Sequence, residues 1–326
     1  MAVFTEISFD EAGQLIAGLS IGELRDFRPC AGGIENTNYF ADTTRGRYVL
    51  TLFERLRADE LPFYLGLMKH LADRGLPVPG PHADASGSLL LALKGKPAAV
   101  VDRLPGAHHL APDAEDCAAV GDVLARLHLA AADFSLLQPN LRGLDWWNET
   151  VPVVVPHLSP ARAELMQDEL AFQRHLAASP AYAALPRGAI HGDLFRDNVM
   201  FEGRALAGVF DFYFAGVDSL LFDLAVALND WCIDLESGRL AEDRAEALVH
   251  AYDAARPLDS AELRLLPALM RAAAFRFWLS RSWDVHLPRT AMLLKAHDPD
   301  HFERVLRQRR EAPWHPARQR LQGAAS

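Results

Sequence analysis

Along the first hundred residues, apolar and polar positions alternate in short runs broken by turn residues. Tyr39-Phe40 and residues 47–53 flank Thr43-Thr44-Arg45-Gly46, and residues 88–93 and 97–101 flank Lys94-Gly95-Lys96. Each pair reads as a β-hairpin. Between them Leu61, Tyr64, Leu65, Met68 and Leu71 recur at helical spacing until Gly75, Pro77, Pro79 and Pro81, which predicts one helix crossing from hairpin to hairpin. Beyond Pro105-Gly106 the period becomes helical, with apolar stripes over 114–131, 160–178, 220–233, 239–255 and 261–282. The exception is 189–214, where β-type runs at 199–201 and 207–212 bracket Glu202-Gly203-Arg204 behind a polar loop. The pattern predicts an α+β chain with a sheet lobe over residues 1–103, a strand-hinge at 101–106 and a larger helical lobe over 104–326. Residues 305–326, with Arg307, Arg309 and Arg310 and a Gly-Ala-Ala-Ser end, are expected to fray.

Charge and cysteine usage narrow the classes of function. With 33 Lys and Arg against 43 Asp and Glu in 326 residues, the formal net charge is −10, which argues against a general binder of nucleic acid or anionic membrane. A small anionic ligand held by a few local donors stays open. Cys30, Cys117 and Cys232 are too scattered for a disulfide framework or a zinc knuckle. No stretch approaches the roughly 20 apolar residues of a membrane span, and the first residues carry no basic leader. A cytoplasmic protein is expected. Lysine is scarce: Lys69, Lys94, Lys96 and Lys295 are the four.

The chemistry concentrates in His191-Gly192-Asp193-Leu194-Phe195-Arg196-Asp197-Asn198, with Asp211 thirteen residues after Asn198 in Val209-Phe210-Asp211-Phe212. A loop followed by a hairpin brings one carboxylate, one amide oxygen and a second carboxylate toward a single point. Mg2+ takes hard oxygen ligands, usually one or two carboxylates completed by phosphates and water. Asn198 and Asp211 fit that demand, and Asp193 is placed to accept the proton of an incoming hydroxyl. Singly, Asp and Asn are turn residues; together, at this spacing, they point to phosphoryl transfer. Asp197 reads as solvated or loop-bracing, and His191 as a structural hydrogen-bonding histidine.

This loop, with the aspartate of Asp211-Phe212-Tyr213, resembles the catalytic and metal-binding pair of the aminoglycoside phosphotransferase and choline kinase superfamily, relatives of the protein kinases. Leu124-Ala125-Arg126-Leu127-His128 resembles a helix of the same superfamily. Residues 32–40, 48–54, Asn229-Asp230-Trp231-Cys232 and 276–281 resemble its kinase-like bacterial homoserine kinase branch, and the likeness runs from about residue 6 to 310. The resemblance implies a protein-kinase-like two-lobe fold, ATP and Mg2+ as cofactors, Asp193 as catalytic aspartate, and Asn198 and Asp211 as metal ligands. It implies further that Gly32-Gly33 covers the phosphates, with Asn38 lining the site, and that Val101 to Arg103 offers backbone groups to adenine. The substrate it implies is a small molecule, L-homoserine, phosphorylated on its hydroxyl.

One departure stands out. Where most of the superfamily carries a phosphate-contacting lysine on the third strand, this chain has Thr51, as the homoserine kinase branch does. The missing charge is left to an arginine or a second Mg2+, or the chain is a nucleotide-binding protein without catalysis. An amino-acid acceptor needs an anion for its ammonium and a cation for its carboxylate. Asp230 is the candidate for the first, Arg276 or Arg281 for the second, and Trp231 for a wall. Choline, an aminoglycoside or a sugar remains the rival class of acceptor.

Overall fold

The computed structural model describes residues 4–30, 36–287 and 297–317. In chain order its elements are α1 (Phe9–Ala17), β1 (Leu24–Pro29), β2 (Thr37–Thr43), β3 (Arg47–Leu52), α2 (Leu61–Asp73), β4 (Leu91–Leu93), β5 (Lys96–Asp102), α3 (Ala114–Ala130), α4 (Leu144–Val154), α5 (Pro160–Ala177), α6 (Pro180–Ala183), β6 (Arg187–Ile190), β7 (Val199–Glu202), β8 (Ala205–Val209), β9 (Gly216–Ser219), α7 (Leu220–Trp231), α8 (Glu242–Ala255), α9 (Ser260–His286) and α10 (Pro299–Glu311). The first five strands make one antiparallel sheet ordered β1-β2-β3-β5-β4, so the two hairpins join through β3 and β5, with Leu50 opposite Val100 and Thr51 opposite Ala99. Two small antiparallel pairs, β6-β9 and β7-β8, sit within the helical lobe.

Pleating sends alternate side chains to opposite faces of the large sheet. Tyr39, Ala41, Leu50, Leu52, Ala98 and Val100 pack with Ala12 and Ile16 of α1 in a small core. Val49, Phe53, Ala99 and Val101 face the other way and join α2 and the helical lobe in the main core. By the same alternation Asn38, Phe40 and Thr51 belong to this second face, which looks into the groove between the lobes.

The connection after β5 is pinned to the helical lobe. Ala107 exchanges backbone hydrogen bonds of 2.9 and 2.8 Å with Phe201, and the Val209 amide donates to the Pro77 carbonyl at 2.8 Å. Gly106 has φ +94°, and a Cβ there would lie 2.1 Å from the Phe201 carbonyl oxygen, an approach open only to glycine.

Every residue of α7 from Leu220 to Trp231 is buried. A helix with no wet face must satisfy its polar side chains internally. Asn229 donates to the Met270 carbonyl and accepts from Arg309 Nε, at 2.7 and 2.9 Å; Asp223 and Asp230 turn toward the loop at 191–198.

The expectation of a frayed C-terminus is overturned for residues 305–311, which belong to α10. Asp298 caps this helix, and its Phe302, Val305 and Leu306 are buried against α9. The arginines that suggested a solvated tail are placed by partners, Arg307 by Glu303 and Arg309 by Asn229. Residues 318–326 lie outside the described residues. Among the described residues no helix is long and apolar enough to cross a membrane.

Candidate active site

The loop at 191–198 hangs from one face of α7. Asp223, fully enclosed, accepts the amides of His191 and Gly192 at 2.7 and 2.8 Å. His128 Nε2 lies 3.1 Å from the same carboxylate, and His128 Nδ1 2.8 Å from the Tyr252 hydroxyl. Burial opposes charge on Asp223, but hydrogen bonding and attraction from His128, with the loop amides, outweigh it and hold the carboxyl below its ordinary value. Seven residues on, two turns along the same face, Asp230 accepts the Arg196 amide at 2.8 Å and its Nε at 3.0 Å. The Trp231 indole donates to the Leu194 carbonyl at 3.0 Å. His191 Nδ1 accepts the Asp193 amide at 3.1 Å, and its Nε2 lies 2.9 Å from the Phe210 carbonyl; burial pushes its pKa down, so it orders the loop as a neutral ring. Gly192 has φ +77°, and a Cβ there would stand 2.7 Å from the Phe214 carbonyl oxygen.

Held this way, the loop presents Asp193 and Asn198 together, and the hairpin that follows brings Asp211 toward them. Asn198 Nδ2 donates to the Asp193 carbonyl at 2.8 Å and approaches Asp193 Oδ2 at 3.3 Å, which leaves the amide oxygen as the face Asn198 shows elsewhere. Val199 pairs with Val209 across the β7-β8 hairpin, and the Phe210 amide donates to the Asn198 carbonyl at 3.0 Å, so Asp211 emerges beside Asn198. Asp211 has φ +65°, a left-handed backbone that costs energy outside glycine and concentrates at functional sites. Arg276 Nη1 lies 3.7 Å from Asp193 Oδ1. Burial pushes the Asp193 carboxyl up to about 8; Arg276 opposes this, and Asp211, Asp197 and Asp230 reinforce it. The mutual repulsion of these carboxylates is what a divalent cation relieves. One carboxylate and one amide oxygen, from Asp211 and Asn198, match the partial donor set that Mg2+ accepts when phosphates complete its shell. Among the described residues no group of three His, Cys, Asp or Glu side chains is arranged to hold a metal without such help.

The remaining candidates divide. Gly32 and Gly33 lie outside the described residues. Asn38 and Thr51 face each other across β2 and β3, and Thr51 Oγ1 donates to Asn38 Oδ1 at 2.7 Å. Val101 is buried opposite Val49. The Arg103 amide donates to the Arg47 carbonyl at 3.0 Å, which takes that donor away from a nucleobase. Its guanidinium instead lies 4.0 Å from the ring centroid of Phe40, a groove-face aromatic that the sequence reading passed over.

On the acceptor side one expectation needs correction. Trp231 has no exposed surface and supports the loop from beneath, so it is not a wall of the groove. Asp230 gives one carboxylate oxygen, Oδ2, to the Arg196 amide and Nε, and Arg196 Nη2 donates to the Asp230 carbonyl, so it clamps the loop. Arg276 is 3% exposed and lies 3.7 Å from the Phe277 ring centroid and 5.0 Å from that of Phe214. Arg281 is half-buried, 4.6 Å from the Phe302 ring centroid; burial lowers its pKa, and Asp230, Asp193, Asp197 and Asp298 oppose that. His301 packs edge-on against Phe302, and burial, then Arg281, Arg304 and Arg196, push its pKa down to about 4.

A sheet lobe and a helical lobe, with an aspartate, an asparagine and a second aspartate converging between them, define a phosphotransferase of the kinase-like class. The chain belongs to the phosphotransferase enzyme family, whose family model matches residues 26–258. It is 63% identical over 314 residues to a homoserine kinase of Polaromonas naphthalenivorans (strain CJ2), covering 96% of this chain and 99% of that relative. It is 52% identical over 311 residues to a homoserine kinase of Janthinobacterium sp. (strain Marseille), covering 95% and 97%. The fold is that of solved structures at much lower identity. An amicoumacin kinase in complex with AMP-PNP and Ca2+ aligns with TM-score 0.67 and 17% identity over 94% of this chain and 93% of its own. A choline kinase from Streptococcus pneumoniae aligns with TM-score 0.63 and 15% identity over 94% and 100%.

Proposed function

We infer that the protein transfers the γ-phosphoryl group of Mg-ATP to the hydroxyl of L-homoserine, giving O-phospho-L-homoserine and ADP. The observation that carries this is near full-length identity of 63% to a homoserine kinase, in a chain that keeps Asp193, Asn198 and Asp211 in one constellation. The sheet lobe, residues 1–103, holds the nucleotide, and residues 104–326 carry the loop and the acceptor site.

Asp193 orients the homoserine hydroxyl and takes its proton as the oxygen-phosphorus bond forms and the bond to the β-phosphate oxygen breaks. Arg276 sits against Asp193 and favours the ionised form needed for that role. Asn198 and Asp211 would hold Mg2+, whose charge neutralises the phosphates. Arg281, half-buried with its guanidinium braced on Phe302, pairs with the substrate carboxylate. Asp197, exposed and near enough to Arg281 to favour its charge, takes the ammonium in place of Asp230.

Coupled-enzyme measurement of ADP release with L-homoserine, choline and kanamycin tests the reading. Homoserine alone should drive turnover, Asp193→Asn should lower kcat by about 10²–10⁴-fold, and Arg281→Ala should raise the homoserine KM about tenfold or more with little change in kcat. Equal turnover of choline or kanamycin would replace the acceptor assignment, and no acceptor-dependent ADP would remove the catalytic one.

A further inference from the structure

Thr51 stands where a phosphate-contacting lysine would, and the lysines of the described residues are engaged elsewhere. Lys69 pairs with Asp73, Lys94 with Glu11, and Lys96 with Glu54 and Thr5. Lys96 shares the parity of Ala98 and Val100, which pack toward α1, so its strand position points away from the groove.

Thr51 is buried on the main-core face of the sheet. It lies between Val49 and Phe53, both in the main core, and the Phe53 ring meets Tyr213 edge-on at 5.0 Å, two residues from Asp211. Its hydroxyl is donated to Asn38 Oδ1 at 2.7 Å. That bond has a directional consequence. With its oxygen taken by Thr51, the Asn38 amide is fixed so that Nδ2, which carries two hydrogens and no acceptor, is the end left to other partners. Asn38 is the second residue of β2 and is half-buried, where a neutral donor works in a lowered dielectric.

We propose that Asn38 Nδ2 is the strand donor to the nucleotide polyphosphate in this protein, and that Thr51 is its positioning residue. The pair replaces one mobile ammonium by an oriented amide. This rests on the phosphotransfer reading, and the test separates the two.

Binding of ADP and of AMP is measured by titration calorimetry on wild type, Asn38→Ala, Asn38→Asp, Thr51→Val and Thr51→Ser, each checked by thermal melting. Asn38→Ala should weaken ADP about tenfold or more and AMP less than about twofold, since AMP lacks the distal phosphate. Asn38→Asp, which puts an anion in the donor's place, should weaken ADP further. Thr51→Val should move ADP affinity in the same direction, Thr51→Ser should restore it, and adding Thr51→Val to Asn38→Ala should cost nothing more because Thr51 acts through Asn38. The homoserine KM should stay unchanged in all of them. Wild-type ADP affinity in folded Asn38→Ala, or equal loss of ADP and AMP, overturns the assignment and leaves the phosphotransfer reading standing. A wild type that binds neither nucleotide overturns the reading and the assignment with it.

Discussion

Asp223 and Asp230 are both carboxylates in an apolar run, and their different partners set different consequences. Asp223 carries two loop amides and a histidine, so replacing it by asparagine leaves buried donors facing an amide that can satisfy only part of them. Asp223→Asn should lose about 3 kcal/mol of stability at neutral pH, read by urea melts. Its folded-state carboxyl is held below the ordinary carboxylate range. A carboxyl depressed on folding adds stability above its unfolded value and loses it as pH falls through the folded one. The gap between wild type and variant should therefore be full above about pH 5 and shrink below about pH 4; a gap independent of pH would show that charge on Asp223 is immaterial. In the sequence, Asp193, Asn198 and Asp211 were legible because their spacing encodes one chemistry. Asp223 was not singled out, although a carboxylate in a helix with no wet face is a signal. Trp231 was misplaced because a linear motif says which residues recur together and not whether they face substrate or loop.

At the scale of elements, the two hairpins of the large sheet, the β7-β8 hairpin and the helices α2, α3, α5, α7, α8 and α9 followed from period, while α1, β1, α4, α6, β6, β9 and α10 were not anticipated. The helix α10 has only three fully buried apolar residues, Phe302, Val305 and Leu306, among charged ones, and its arginine content masked the stripe. What the stripe touches explains its cost in sequence. Phe302 stacks with Phe277 at 5.0 Å and with Phe195 of the catalytic loop at 5.7 Å, while Arg281 lies over its ring. Phe302→Ala should destabilise the protein by about 3–5 kcal/mol. If α10 seats the acceptor arginine, the same variant should raise the homoserine KM more than it lowers kcat, measured at a temperature where the variant is folded. An unchanged KM would confine α10 to a packing role.

The whole molecule is two cores sharing one sheet, the small one under α1 and the large one running from α2 through the helical lobe. The two-lobe plan was readable from the change of period near Pro105-Gly106. The contacts that tie the lobes were not, because the Ala107–Phe201 and Val209–Pro77 bonds join backbone atoms that carry no sequence signature. Gly106→Ala tests that tie: its Cβ would run into the Phe201 carbonyl, and the variant should lose about 1–3 kcal/mol, with slower turnover if lobe registry sets the groove. Full stability in that variant would mean the connector can rearrange at no cost.

Thr51 in the third strand also decides how the protein can be seen by chemistry. Acyl-phosphate derivatives of ATP tag kinases by handing their acyl group to a groove amine. Among the described residues the amines of this chain are turned to outlying carboxylates. Such tagging should find no groove target among these three lysines, and Thr51→Lys is the substitution that should supply one.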